Sequence, residues 1–181
     1  MNFVDITFWV LFLLILAIES RILFRCRSGG KDKKTLGFVL FGVFLPLILV
    51  SIFRAFEIVN SSVFYLYAGS FLLVSGFALR QWAIAVLGKF FIPVVKVQQG
   101  QSVIDAGPYS VLRHPSYTGL LFEVAGVCLI LGGFSGFVIV LVFSLPAIMY
   151  RIFVEESVLA RELKGYKKYM LKTYRLLPWI Y

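Results

Sequence analysis

Long apolar runs, interrupted by short clusters of charge, glycine and proline, set the pattern of this chain. The runs cover Ile6 to Phe24, Leu36 to Phe53, Val63 to Leu79, Pro115 to Leu131 and Phe137 to Leu163. Each approaches the roughly 20 residues that a helix needs to cross a bilayer. The helical pattern of the third run continues towards Leu87, and the fifth extends beyond bilayer length. The first run has no basic residues before it and is followed by Arg21, Arg25 and Arg27. A secretory signal has the opposite order, so this run predicts a retained transmembrane helix.

The interruptions support the same division. Ser28 to Lys34 is short, polar and turn-forming. Pro46 lies inside the second run, where neighbouring groups in a membrane bundle can re-satisfy the freed carbonyl. Gly69 and Gly76, with Ser70 and Ser75, predict close helix contacts on the third. Gly88 to Arg113 is the longest internal segment that does not span, and Gly132 to Gly136 is a tight turn. The expected architecture is all-α: a polytopic integral membrane protein of about five transmembrane helices. Residues 1–79 hold three spans. Residues 80–181 hold two more, a loop and a C-terminal tail.

Composition narrows the class. Hydrophobic residues make up 60% and charged residues 15%, with a mean hydropathy of +0.92. Soluble domains sit near ~45–50% apolar and ~25% charged, so a water-soluble globule and a disordered chain are both excluded. Of 18 Lys and Arg, six lie in Arg21 to Lys34, four in Arg80 to Arg113 and seven from Arg151 onwards; Arg54 alone falls on the other side. The positive-inside bias then places the N-terminus outside and the C-terminus in the cytoplasm, in a cell-membrane protein. The net charge of +9 points to anionic headgroups rather than nucleic acid, because the bases flank apolar runs. One histidine excludes a multi-histidine metal site, and Cys26 and Cys128 give neither metal spacing nor a disulfide framework.

Three polar features converge on the predicted cytoplasmic face: Gly107-Pro108-Tyr109, Arg113-His114-Pro115-Ser116-Tyr117-Thr118-Gly119, and Arg151 with Glu155 and Glu156. His114 precedes proline and is biased out of the α region. It therefore stands at a helix start, whose free N–H groups attract anions. Gly119 lets another group approach the backbone closely. Arg151 and Glu155 are spaced i, i+4 and can pair. Adjacent carboxylates beside an apolar slab tend to mark sites, and here they suit a ribose diol, an ammonium group or a sulfonium. The alternatives are headgroup anchoring by Arg113 and His114 with Tyr117 in an aromatic belt, and an interfacial salt bridge between Arg151 and Glu155 with Glu156 an exposed second acid. Glu123, two turns into the fourth span, is either a site residue or a structural hydrogen-bonding group. Arg80, Gln81 and Trp82 read as an interface anchor.

The ordered set Leu79-Arg80-Gln81-Trp82, Leu87-Gly88, Gly107-Pro108-Tyr109, Arg113-His114-Pro115-Ser116-Tyr117-Thr118-Gly119, Arg151, Glu155-Glu156, Leu159, Tyr166, Tyr169 and Leu177-Pro178 resembles the isoprenylcysteine carboxyl methyltransferase family. The resemblance covers roughly the C-terminal 100 residues. It implies a cytoplasm-facing pocket for S-adenosylmethionine, bordered by Gln101, Val103, Gly107 and Tyr109. His114, Pro115, Tyr117 and Gly119 would line it, and Glu155 and Glu156 would close it. Arg151 would be the substrate-side cation, and Arg151, Glu155 and Glu156 the catalytic group. The family often has His where this chain has Gln101, which weakens an adenine contact for that residue.

The expected activity is methyl transfer to the carboxylate or hydroxyl of an isoprenoid-cysteine-like or other lipophilic substrate, free or on a prenylated protein, with no metal. Phospholipid N-methylation and a non-catalytic lipid-binding scaffold are the alternatives.

Overall fold

The computed structural model describes Ala17, residues 33–56 (backbone alone at 33 and 34), Ile58, residues 62–92 and residues 94–178. The first expected span, Ile6 to Phe24, lies outside the described residues apart from Ala17, which is helical. The other described residues form helix, short 3-10 turn or irregular chain, with no β-strand among them.

Helix α1 is Lys33–Ala55, and the buried Pro46 is carried within it. Helix α2 is Val63–Leu87 and ends at Gly88, whose φ of 54° no side-chain-bearing residue adopts comfortably. Arg80 therefore lies inside α2 rather than at its end. Helix α3 is Pro115–Glu162, with one non-helical residue, Gly133, at φ 58° and ψ −143°. That residue reverses the chain. Tyr117 and Glu155 are 38 residues apart and would stand about 57 Å apart on a straight helix at 1.5 Å per residue. Their side chains instead meet at 2.8 Å. The two expected spans are thus the arms of one hairpin, 115–132 and 134–162. The turn is tighter than the five-residue loop the glycines suggest. The short helix α4 is Tyr166–Met170.

The hairpin is central, with α2 against its first arm and α1 against its second. Gly69 faces Gly126, and Gly76 faces Gly119. On each helix the two glycines are seven residues apart, and the order is reversed between the helices, so the two run antiparallel with backbones nearly touching. A Cβ on Gly126 would lie 2.5 Å from the Gly69 carbonyl oxygen. On the other side Gly42 meets Ala147, and the Ser144 hydroxyl donates to the Gly42 carbonyl at 2.6 Å. Val50, Val124, Ala125, Cys128 and Val140 form the apolar core between the layers.

Among the described residues, three helices are long and apolar enough to cross a membrane: Thr35–Ala55, Val63–Phe90 and the doubled-back Pro115–Glu162. Phe38, Phe41, Phe44, Ile48 and Ile52 on α1 are exposed, recurring every three or four residues. That outward apolar stripe suits hydrocarbon, since water would penalise it.

Candidate active site

The open end of the hairpin brings the polar residues together. His114 caps α3 at φ −128° and ψ 53°, outside the helical region as its proline neighbour dictates. The C-terminal segment then runs back along residues 111–118. The Tyr174 amide donates to the Val111 carbonyl, the amides of Arg113 and His114 donate to the carbonyls of Tyr174 and Arg175, and the Thr118 hydroxyl donates to the Leu176 carbonyl at 2.8 Å. This strap fixes the segment that carries His114 and Tyr117.

Arg151, on the second arm, is only 2% exposed. Its Nε donates to the Tyr117 hydroxyl at 3.1 Å, and its Nη1 donates to the Thr35 hydroxyl at the start of α1. The Tyr117 hydroxyl in turn donates to Glu155 Oε2 at 2.8 Å. Arg151 and Glu155, one turn apart on the same helix, are therefore joined through a phenol from the opposite arm. The His114 ring lies between the two acids, with Nδ1 4.0 Å from Glu155 Oε1 and Nε2 3.3 Å from Glu156 Oε1.

The adjacent carboxylates have different surroundings. Glu155 lines a cavity; Glu156 does not. Both Glu156 oxygens are engaged, Oε1 by Arg113 Nε at 2.7 Å and by His114, and Oε2 by Arg175 Nε at 2.8 Å. Arg113 extends the cluster by donating to the Met170 carbonyl at 2.7 Å and to the Thr173 carbonyl. Glu156 thus fastens the tail to the start of α3.

The cavity has a volume of about 280 Å³. One wall is apolar, from Leu36, Val39, Leu40, Val43, Phe44 and Leu47 of α1. The polar lining includes Tyr109, His114, Tyr117, Arg151 and Glu155, and the loop contributes Gln101 and Val103. Of the expected site residues, these seven line the cavity. Gly107, Pro115, Gly119 and Glu156 do not. Gly107, at φ 56°, packs beside the Trp82 indole. The group that approaches Gly119 is the α2 backbone: a Cβ there would lie 2.6 Å from the Gly76 carbonyl oxygen. Gln101 Oε1 accepts the Gln98 amide at 2.8 Å, closing its own loop.

The wall holds further polar residues beyond the expected site set, Glu123 among them as one of its two readings. Arg80 is 8% exposed, lines the cavity and donates from Nη1 to the Ser116 carbonyl at 3.0 Å, so it is not an interface anchor. Glu123 is buried in the same wall. Tyr166 and Tyr169 close the loop side. The Tyr169 hydroxyl donates to the Tyr109 carbonyl at 2.7 Å. Burial pushes the Tyr169 phenol up to about 12. It raises Tyr109 further still, with the Glu155 charge adding to the effect, so both phenols stay neutral donors.

Comparison with known proteins agrees with this geometry. The model of the isoprenylcysteine carboxyl methyltransferase family matches residues 69–161, just over half of the chain. Two curated rice proteins, from Oryza sativa subsp. indica and subsp. japonica, are each named as a probable protein-S-isoprenylcysteine O-methyltransferase. Both are 27% identical over 123 residues, covering 65% of this chain and 63% of theirs. The chain thus spans under two thirds of the length of these relatives. A solved structure of a eukaryotic intramembrane Ras methyltransferase, an isoprenylcysteine carboxyl methyltransferase, superposes with a TM-score of 0.62 at 24% identity. It covers 77% of this chain and 51% of that one, and shows a shared fold. The family match begins at Gly69, takes in the glycine contacts and the His-Pro helix start, and runs past Glu156. This chain, an integral membrane protein, belongs to the isoprenylcysteine carboxyl methyltransferase family.

Proposed function

We propose that this protein transfers a methyl group from S-adenosylmethionine to the carboxylate of an isoprenoid-cysteine-like substrate, with the polar lining of the cavity open to the cytoplasm. The carrying observation is the junction of Arg151, Tyr117 and Glu155 in the lining of a cavity that α1 walls with apolar side chains. A lipid-tailed carboxylate and a charged, polar cofactor need those two environments side by side. The donor set fits the cofactor: Glu155 offers an acceptor for its ammonium or ribose hydroxyls, and buried neutral phenols offer donors.

When bound, S-adenosylmethionine supplies a methyl group on a positively charged sulfur. The protein's part is positioning. A substrate carboxylate is ionised at neutral pH, so no general base is required. The Arg151 guanidinium, held by Tyr117 and Thr35, is set to orient it through charge-assisted hydrogen bonds. Helices packed through glycine exclude water and keep the apolar wall and the polar lining in fixed relation, which is how orientation lowers a barrier. Among the residues expected to act, Arg151 and Glu155 take the direct roles and Glu156 positions His114.

The test is methyl incorporation by the purified chain from labelled S-adenosylmethionine into a prenylcysteine analogue and, separately, into phosphatidylethanolamine. Transfer to the first alone is expected. Transfer to the second alone would replace the reading with phospholipid N-methylation, and failure to bind S-adenosylhomocysteine at high micromolar concentration would overturn both. Glu155→Gln and Arg151→Lys should each lower turnover about 100-fold, the scale of a misplaced reactant, and in Glu155→Gln the melting temperature should hold. Full activity in either would remove that residue from the site.

A further inference from the structure

From Leu163 to Pro178 the chain carries no acidic residue, and buried and exposed positions recur in a simple order. Leu163, Tyr166, Tyr169 and Thr173 are buried, while Lys164, Lys167, Lys168, Leu171 and Lys172 between them are exposed. The ammonium groups of the four lysines make no hydrogen bond or ion pair among the described residues. Arg175, the other base of the stretch, is held by Glu156. Leu171 stands among the lysines at 87% exposure. An apolar side chain ringed by lysines suits a membrane interface, where it sinks between headgroups and the ammonium groups stay with the phosphates. The hairpin sets the depth of this face. Its first arm, 115–132, is about 27 Å long at 1.5 Å per residue, close to the roughly 30 Å of a hydrocarbon core. Pro115 therefore stands near one edge of that core. The tail is bonded at the same level, where the Tyr174 amide donates to the Val111 carbonyl and the Thr118 hydroxyl to the Leu176 carbonyl. Leu171 is three residues from Tyr174, within about 11 Å even for an extended chain. The headgroup layer and one Debye length of about 8 Å together cover that reach.

We infer that Lys164, Lys167, Lys168 and Lys172, with Leu171 between them, bind anionic phospholipid headgroups of the leaflet at the open end of the hairpin. The charges are complementary, no acid within the stretch opposes them, and the preceding Glu162 stands beside Arg161. The occupant is lipid rather than a free anion, because Leu171 offers nothing to soluble phosphate but gains burial among headgroups. The inward face of the same stretch bears on the site: Leu163, Tyr166 and Tyr169 line the cavity. A bound leaflet therefore steadies that wall from outside. The surface takes no part in methyl transfer and stands independently of the proposed reaction.

The test is amide hydrogen exchange of the full chain in phosphatidylcholine nanodiscs, with or without about a third phosphatidylglycerol. Each lysine at an anionic surface favours the bound state about five-fold. Exchange from residues 164–172 should slow about tenfold in the anionic discs, while exchange from α2 stays the same. The difference should vanish in roughly 1 M salt, where the Debye length is about 3 Å. Lys164→Gln, Lys167→Gln, Lys168→Gln and Lys172→Gln together should abolish the lipid dependence at an unchanged melting temperature, since these side chains hold nothing within the protein. Leu171→Ser alone should keep the salt dependence and lose part of the slowing. Equal exchange in the two kinds of disc overturns the inference, and so does a fourfold variant that still responds to phosphatidylglycerol. A fourfold variant that melts lower or does not fold overturns it too, because the lysines would then serve the fold. Equal slowing by inorganic phosphate or by polyglutamate in neutral discs would assign the surface to a soluble anion or an acidic polypeptide instead.

Discussion

Two regions hold the hairpin in place by opposite means. Along its first arm, Gly119 and Gly126 meet Gly76 and Gly69 of α2, and contact depends on side chains being absent. At its open end, Glu156 gathers Arg113, His114 and Arg175, and contact depends on charges being matched. The first region is rigid because two backbones have no room to move. The second is held by directional bonds from three separate segments. Glycine packing fixes how the helices lie, while the charge cluster fixes the helix start that carries His114 and Tyr117. The site needs both, and they should fail differently.

The charge cluster should fail hardest. Glu156→Ala leaves two guanidiniums facing each other where their common acceptor was. Removing one member of a buried ionic group costs about 3–5 kcal/mol. The variant is expected to show lowered thermal stability in detergent and early proteolysis of the tail after Leu163, read by mass spectrometry of the fragments. Unchanged stability with an intact tail would mean that the strap's backbone bonds alone hold it. Glu155→Gln provides the contrast: its carboxylate faces the cavity, so stability should hold while turnover falls.

Gly126→Ala comes next. The new methyl would meet the Gly69 oxygen at 2.5 Å and the Leu73 amide nitrogen at 2.7 Å, both backbone atoms that cannot rotate away. Overpacking costs about 1–3 kcal/mol, and this position belongs at the upper end. A drop in melting temperature without tail cleavage would separate it from Glu156→Ala. If the two variants gave the same cleavage pattern, the regions would be one cooperative unit.

These two regions also differ in how far the sequence exposes them. Gly69 and Gly76 sit two helical turns apart inside an apolar run, and that local spacing announces a close contact. The His114-Pro115 step announces a helix start, and Gly132 to Gly136 announces a reversal. Such signals are local because backbone geometry acts over a few residues. The Glu156 cluster is not local. Arg113 lies 43 residues away and Arg175 19 away in the opposite direction, and no periodicity links them. The adjacent acids read as an equivalent pair, although one turns to the cavity and the other to the tail. Arg80 was hidden by a boundary: with α2 ending near Leu79 it becomes an anchor, but the helix runs to Leu87 and turns it inward. Thr35 gave no signal, because its role exists only once α1 lies beside the second arm.

Thr118→Val asks whether the strap is held by bonds other than charge. Its buried hydroxyl donates to the Leu176 carbonyl at 2.8 Å, and valine keeps the shape without the donor. The loss should be about 1 kcal/mol. Tail cleavage should rise slightly, in the same direction as for Glu156→Ala. A cost equal to that of Glu156→Ala would place the strap's main anchor at Thr118 rather than at the carboxylate.

The smallest effect should also have the opposite sign. Gly37 lies in α1 with no atom of the described residues within 4 Å of where a Cβ would stand. Its backbone is helical, so alanine fits without strain and lowers the conformational freedom of the unfolded chain, which stabilises by about 0.4–1 kcal/mol. The chemical change is identical to that in Gly126→Ala, a methyl group for a hydrogen inside a helix. Opposite shifts in melting temperature would therefore isolate the neighbour, not the helix propensity, as the cause. If Gly37→Ala destabilised as much as Gly126→Ala, close packing would no longer explain the glycine stripe, and a surface covering the exposed face of α1 would have to be sought instead.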